Sequence, residues 1–113
     1  MLRVKNGDIQ DVLEKELNRL TERLIDLGAE KIILFGSYAR GRCDALTDLD
    51  LIVVMESGEP FVRRAALVYG ALVPRVAADI LVYTPGEWRE VKERPFIKKA
   101  LGEGRILYEK RAG

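Results

Sequence analysis

The sequence predicts an α/β (α+β) fold in which helices cover a small mixed β-sheet of three or four strands. Near the N-terminus, leucine and isoleucine recur at intervals of three and four residues, which is typical of an amphipathic helix. Further along, short runs rich in isoleucine, leucine and valine are bounded by Gly, Pro or Asp, which is typical of strands. Because the two kinds of segment alternate over only 113 residues, we expect one domain, residues 1–113, with a single layered core.

The first half of the chain predicts one long helix and two strands. Gly28 follows the last apolar residue of the N-terminal pattern, in the position where glycine commonly ends a helix. After Asp50 the second strand is apolar on both faces, which predicts a central strand covered on both sides. In order, we expect a helix over 8–27, a strand over 31–35, a short helical turn over 38–40, a loop over 41–47 and a strand over 48–55.

The second half predicts three more helices and two more strands. Thr84, Pro85 and Glu87 have the spacing of a capping box with proline in the first helical position, so a helix should begin there. Pro74 and Pro95 each interrupt a helical pattern. In order, we expect a helix over 61–73, a strand over 76–83, a helix from 85 to about 93, a short helix over 96–101 and a short strand over 105–108.

The composition excludes several kinds of site. The sequence has no histidine, which excludes catalytic triads and metal sites that need imidazole, and its one cysteine, Cys43, forms neither an intrachain disulfide nor a cysteine zinc site. With 19 basic and 18 acidic residues the net charge is +1, so we expect no direct nucleic-acid binding. No apolar run approaches the roughly 20 residues of a membrane span, and no N-terminal signal is apparent, so we expect a cytoplasmic protein without a membrane contact.

Three aspartates stand where strands are otherwise apolar. Asp48 and Asp50 point to the same face of their strand because side chains alternate, and Asp79 interrupts the apolar run of the next strand, where a covered acid needs a partner. If these strands are neighbours, the carboxylates converge, and two like charges about 4 Å apart cost about 4 kcal/mol at an effective dielectric near 20. Protonation, a basic group or a cation would relieve this cost. Oxygen ligands alone favour Mg²⁺ or Mn²⁺, and two such ions could bridge the oxygens of a triphosphate.

A glycine-serine turn precedes these acids. Gly36 lets the backbone approach an anion closely, Ser37 offers a hydroxyl, and the free N–H groups of the following turn can hold a phosphate. Arg40 could add a cation for the transferred or leaving phosphate, and Tyr38 either stacks on a base or lies on the surface. The turn has neither the Gly-Lys-Ser/Thr of a P-loop nor the Gly-x-Gly-x-x-Gly of a dinucleotide fold.

Together these features resemble the minimal nucleotidyltransferase family, the smallest members of the DNA polymerase β-like nucleotidyltransferase superfamily. The resemblance covers nearly the whole chain, and the spacing from Ser37 to Asp48 fits it. One small departure is Thr47, where serine is commoner, but both residues carry a hydroxyl. The matching pattern is an apolar strand, Gly36-Ser37, Ala39-Arg40-Gly41, Thr47-Asp48-Leu49-Asp50-Leu51 and a later Asp79 on a strand.

The resemblance implies the polymerase β-like fold and a role for each residue. Gly36 and Ser37 would bind the nucleoside triphosphate, with ATP expected, and Asp48 and Asp50 would hold two Mg²⁺ ions. Asp79 would ligate the catalytic metal and help to deprotonate an acceptor hydroxyl. The products would be a nucleotidylated acceptor and pyrophosphate.

The resemblance also implies a partner, because the chain is too short to carry an acceptor-binding domain of its own. Family members of this size are commonly paired with a separately encoded helical HEPN protein, which they silence as antitoxins by transferring AMP to a tyrosine. A heteromeric complex or a homodimer is therefore expected. Four C-terminal residues either contact such a partner or pack on the sheet: Trp88, Phe96, Ile97 and Tyr108.

Three interpretations stay open at this point. The first is a protein adenylyltransferase that acts on its partner. The second is an antitoxin that only binds and blocks a ribonuclease sterically. The third is a nucleotidyltransferase that modifies small molecules, similar to the enzymes that modify aminoglycosides, with an acceptor pocket built across a dimer.

Overall fold

The computed structural model describes residues 6–111 of the chain, and side chains from Asp8 onward. Helices pack on both faces of a four-stranded sheet with the order β3-β2-β1-β4, which confirms the predicted fold class. The elements in chain order are α1 (Asn6–Asp26), β1 (Lys31–Phe35), α2 (Gly36–Ala39), β2 (Leu49–Val54), α3 (Phe61–Leu72), β3 (Ala78–Tyr83), α4 (Pro85–Val91), α5 (Pro95–Glu103) and β4 (Arg105–Glu109).

The sheet is mixed, and β2 lies in its interior as predicted. β2 pairs antiparallel with β1 and parallel with β3, and β1 pairs antiparallel with β4. β3 is an edge strand, and Asp79 near its start is exposed, so the expectation of a covered acid at that position is wrong. Asp79 is therefore in contact with solvent at the start of the edge strand.

Alternation of side chains along the strands divides the core into two layers. One face of the sheet packs against α1 and α3 through leucine-rich contacts, and the other packs against α4 and α5. Residues buried in the first layer include Leu17, Leu20, Leu34, Leu51 and Leu72. Residues buried in the second layer include Ile33, Ile52, Trp88, Val91 and Ile97. Trp88 and Ile97 thus pack on the sheet rather than present themselves to a partner, whereas Phe96 is 62% exposed.

Local signals set most element ends. Thr84 Oγ1 accepts a hydrogen bond from Glu87 N at 3.2 Å and Glu87 Oε1 accepts one from Thr84 N at 2.9 Å, which confirms the capping box. α3 ends at Leu72 because Val73 adopts the left-handed conformation, with φ of 45°. α2 begins at Gly36, two residues earlier than expected, and is followed by a loop without regular structure.

Two buried polar groups tie helices to the sheet and to each other. The guanidinium of Arg64 on α3, which is 4% exposed, donates to the Val82 carbonyl at 2.9 Å and to Glu87 Oε1 at 2.6 Å. The carboxylate of Glu16 on α1, also 4% exposed, accepts from Arg19 Nε at 2.7 Å, and Arg19 in turn donates to the Leu72 carbonyl at the end of α3. Within residues 6–111, no helix is both long enough and apolar enough to cross a membrane.

Candidate active site

Two of the three predicted acids lie side by side on neighbouring strands. Asp50 in β2 and Asp79 in β3 are register partners in the parallel pair, so their side chains point to the same face of the sheet. Asp48 lies one residue before β2 and two before Asp50, which gives it the same face by alternation. This is the face that α4 and α5 cover further along the strands. Asp79 is exposed, while Asp48 and Asp50 are half-buried.

The acids repel one another, and the effect is concentrated on Asp50. Burial, the negative charges of Asp79 and Asp48 and a hydrogen bond with Asp79 together raise the pKa of Asp50 to about 6, against the positive charge of Arg40. The folded protein therefore holds more negative charge here than its own residues balance. A proton or a cation at this place would relieve the repulsion.

Gly36 brings the bend after β1 directly against the Asp50 carboxylate. Its φ of 77° is in the left-handed region that favours glycine, and a Cβ built on it would overlap the Oδ2 atom of Asp50. Glycine is therefore required at position 36 both for the conformation of the bend and for the position of the Asp50 carboxylate. The bend opens α2, on whose first turn Ser37 is half-buried.

Arg40 connects α2 with α5 at the edge of the site. Its backbone N–H closes α2 by donating to the Gly36 carbonyl, and its Nη1 donates to Glu103 Oε2 at 3.1 Å. The side chain is about half exposed, and its positive charge acts on Asp50. Arg40 is therefore close enough to interact electrostatically with Asp50, while its side chain is hydrogen-bonded to Glu103 on α5.

Tyr38 is held away from the acids. Its hydroxyl donates to Glu14 Oε2 on α1 at 2.9 Å, and its ring packs with the cluster on the sheet face opposite Asp50. Burial, followed by the bond to Glu14, raises the pKa of Tyr38 to about 12. This position disfavours stacking of the Tyr38 ring on a nucleotide base that is bound beside Asp50.

The loop before Asp48 is fixed by its own hydrogen bonds. The buried Thr47 hydroxyl accepts from Asp44 N at 2.9 Å and lies 3.1 Å from Asp44 Oδ1, to which it donates. Arg42 Nε donates to Asp44 Oδ2 at 2.9 Å. The sequence pattern marked a hydroxyl residue at position 47 without giving it a role, and its role in the fold is to hold this loop.

A divalent cation fits the donors at this end of the sheet. Among the described residues, no group of three or more acidic or thiol side chains is placed to hold a metal ion. Mg²⁺ commonly takes only one or two carboxylates and completes its coordination with water and substrate phosphates. The oxygen-only donors Asp48, Asp50 and Asp79 and the unbalanced charge at Asp50 suit such an open site.

An apolar pocket of about 370 Å³ opens beside Asp48, on the side of α1. Its walls include Ile9, Val12, Val76 and Ala77. This pocket could not be predicted from the sequence, because α1 and the start of β3 are far apart along the chain. For the same reason, it could not be predicted that Phe35 is the register partner of Asp50 in the β1–β2 pair.

The chain is similar to known proteins in both sequence and fold. Residues 13–108 match the family model described as the nucleotidyltransferase domain. A protein of Methanocaldococcus jannaschii, provisionally named a protein adenylyltransferase, is 32% identical over 84 residues, which cover 70% of this chain and 78% of the relative.

Three solved structures share the fold. A protein of Sulfolobus solfataricus, provisionally named a nucleotidyltransferase, superposes with a TM-score of 0.66 at 21% identity, over 100% of this chain and 96% of that one. A structure provisionally named a minimal nucleotidyltransferase gives 0.51 at 26% identity, over 86% and 93%. A chain from a mutant of the toxin–antitoxin pair MntA–HpeT gives 0.50 at 20% identity, over 84% and 73%. From the family match, the relative and the shared fold, the chain belongs to the nucleotidyltransferase domain family, and among its structural neighbours are minimal nucleotidyltransferases.

Proposed function

We propose that this protein transfers AMP from ATP to a hydroxyl group of a separately encoded helical partner of the HEPN type, and thereby acts as an antitoxin in the cytoplasm. The observation that carries the proposal is the pairing of Asp50 with Asp79 on adjacent strands, with the Gly36 bend directly against the Asp50 carboxylate. This arrangement would bind a triphosphate whose negative charge is neutralised by metal ions, and it would place beside the phosphates a carboxylate, that of Asp79, which can accept a proton.

Each residue has a task in the proposed reaction. Gly36 and Ser37 bind the phosphates through the backbone and the serine hydroxyl, and Arg40 adds a positive charge. Asp48 and Asp50 are the residues that would hold two Mg²⁺ ions, or Mn²⁺, with Asp79 as a further ligand. These ions, when bound, would polarise the triphosphate and favour ionisation of the acceptor hydroxyl.

The bonds exchanged are those of a phosphoryl substitution. The acceptor oxygen forms a bond to the α-phosphorus, and the bond from that phosphorus to the pyrophosphate oxygen breaks. The acceptor proton passes to the Asp79 carboxylate, which is exposed on the edge strand and so can be reached by a group from another protein. Pyrophosphate leaves with the electron pair of the broken bond and carries the resulting negative charge on its oxygen.

Two comparisons support a protein acceptor. The relative from Methanocaldococcus jannaschii is named for protein adenylylation, and one structural neighbour comes from a toxin–antitoxin pair. The pocket beside Asp48 adds a physical reason, because its largely apolar walls suit an aromatic side chain such as tyrosine better than a polyhydroxylated amino sugar.

The test is transfer of label from ATP carrying ³²P in the α-phosphate to the protein encoded beside this one, in the presence of Mg²⁺. We expect the partner to be labelled, and we expect Asp79→Asn to lower the rate by about 10²–10⁴-fold because a proton acceptor is lost. Asp48→Asn should lower it at least as much. Asp26→Asn, an exposed change at the far end of α1, is the matched control and should leave the rate unchanged.

Three outcomes would contradict the proposal. Labelling that survives in Asp48→Asn would show that the acids do not form the catalytic centre. Neutralisation of a toxic partner by both Asp48→Asn and Asp79→Asn, at undiminished level, would favour the antitoxin that acts by binding alone. Modification of amino sugars without transfer to the partner would favour the small-molecule enzyme.

A further inference from the structure

A small pocket with aromatic and basic walls lies on the α5 side of the acids. Its volume is about 240 Å³, and the residues around it include Phe35, Gly36, Phe96 and Lys99. Phe35 is the register partner of Asp50, and Gly36 lies against the Asp50 carboxylate. The pocket is therefore next to Asp50, because Gly36 lines the pocket and also lies against the Asp50 carboxylate.

Phe96 is an exposed aromatic residue at this pocket. Its ring is 62% exposed and meets the ring of Phe35 edge to face, with centroids 6.1 Å apart and planes at 86°. Along α5 the spacing of Phe96, Lys99 and Glu103 puts all three on one face of the helix. The face therefore offers an aromatic surface at one end and charged groups at the other.

The side chains that line the pocket include one more base than acid. Arg40 and Lys99 are basic, and Glu103, the acid among them, pairs with Arg40 at 3.1 Å, while the Asp50 carboxylate lies against Gly36. The pocket on the other side of the acids, beside Asp48, is different, since none of the described residues that line it is basic. An aromatic base with an anionic phosphate chain thus matches the α5 side, and an uncharged acceptor side chain matches the α1 side.

We propose that Phe96 and Lys99 form the nucleotide-binding subsite, in which the base stacks on the Phe96 ring and the Lys99 ammonium contacts the phosphates. The inference depends on the proposed function, because it concerns the same site. Ligand pockets for whole drug-sized molecules measure about 300–1,000 Å³. A pocket of about 240 Å³ is thus suited to the base, with the phosphates extending past Gly36 towards Asp50.

The test is calorimetric titration with two probes in the presence of Mg²⁺: an ATP analogue with a methylene group between the α- and β-phosphates, and inorganic triphosphate. Phe96→Leu should weaken binding of the ATP analogue about tenfold, because stacking of one base contributes roughly that much, and should leave triphosphate binding unchanged. Phe96→Trp should restore affinity for the analogue. Lys99→Ala should weaken binding of both probes.

Lys98→Ala is the matched control, because Lys98 is the neighbouring lysine on α5 but pairs with Glu93 outside the pocket, and it should bind both probes as the wild type does. The subsite is overturned if Phe96→Leu and Lys99→Ala bind the analogue with wild-type affinity while Asp50→Asn does not. It is also overturned if Phe96→Leu loses the protein partner and keeps the nucleotide. A wild-type protein that binds neither probe would overturn the proposed function together with the subsite.

Discussion

Position 36 is where a single methyl group would have its largest effect on the site. An alanine there must adopt a left-handed φ, at a cost of about 1–2 kcal/mol, and its Cβ would displace the Asp50 carboxylate. We expect Gly36→Ala to abolish Mg²⁺-dependent ATP binding while the protein remains folded, as measured by calorimetry and circular dichroism.

Gly41 provides a control that separates these two effects. Its φ of 102° is also left-handed, but a Cβ there meets nothing within 4 Å. Gly41→Ala should therefore lose a similar amount of stability and keep ATP binding. Equal loss of ATP binding in both variants would mean that contact between residue 36 and Asp50 does not matter.

The lowered pKa of Glu16 leads to a prediction of how the free energy of unfolding depends on pH. The hydrogen bond from Arg19 lowers the pKa of Glu16 in the folded protein, so the stabilisation is fully present above the ordinary pKa near 4.5 and is lost as the pH falls through the lowered value. Glu16→Gln should cost about 2 kcal/mol of unfolding free energy at neutral pH. That difference from the wild type should shrink at acidic pH, as measured by urea denaturation.

The exposed Glu22 on the same helix is the control for this change. Glu22→Gln should leave the unfolding free energy within about 0.5 kcal/mol of the wild type at either pH. A cost of Glu16→Gln that is the same at neutral and acidic pH would show that the ionised carboxylate is not the stabilising species.

At the scale of elements, Arg64 joins α3, β3 and α4. Arg64→Ala removes the side-chain donor to the Val82 carbonyl and one donor to the Glu87 carboxylate and opens a cavity, so we expect a loss of about 2–4 kcal/mol of unfolding free energy. The neighbouring Arg63 pairs with Glu59 at 3.0 Å but is 65% exposed, and Arg63→Ala should cost less than about 1 kcal/mol. Similar losses for both variants in urea denaturation would contradict a structural role for Arg64.

Element boundaries could largely be predicted because their signals are local. Each of these signals determines an element within one helical turn or one strand. They are Gly28 after α1, the pair Thr84 and Glu87 at the start of α4, and the apolar run of β1. The beginning of α2 at Gly36 was missed, since four residues give little periodicity. Arg64 was also missed as a buried residue, because its partners lie 18 and 23 positions away and no local pattern announces them.

The whole molecule adds what no local pattern contains, namely which strands are neighbours. The sequence placed three acids on two strands, but only the order β3-β2-β1-β4 puts Asp79 beside Asp50 and Phe35 on its other side. The same order places α5 next to β1 and so brings Phe96 and Lys99 to the site. The candidate acids could therefore be proposed from the sequence, whereas the pockets on either side of them depend on the fold.

The central claim is that the three aspartates hold the metal ions and the α-phosphate of ATP, and an anomalous diffraction map tests it most directly. Crystals would be grown with Mn²⁺ and the methylene analogue of ATP. We predict manganese peaks within coordination distance of Asp48 and Asp50, one of them shared with Asp79, and the α-phosphate between them and the Gly36 bend. Manganese and phosphates bound elsewhere on the protein, with these carboxylates left free of metal, would contradict the claim.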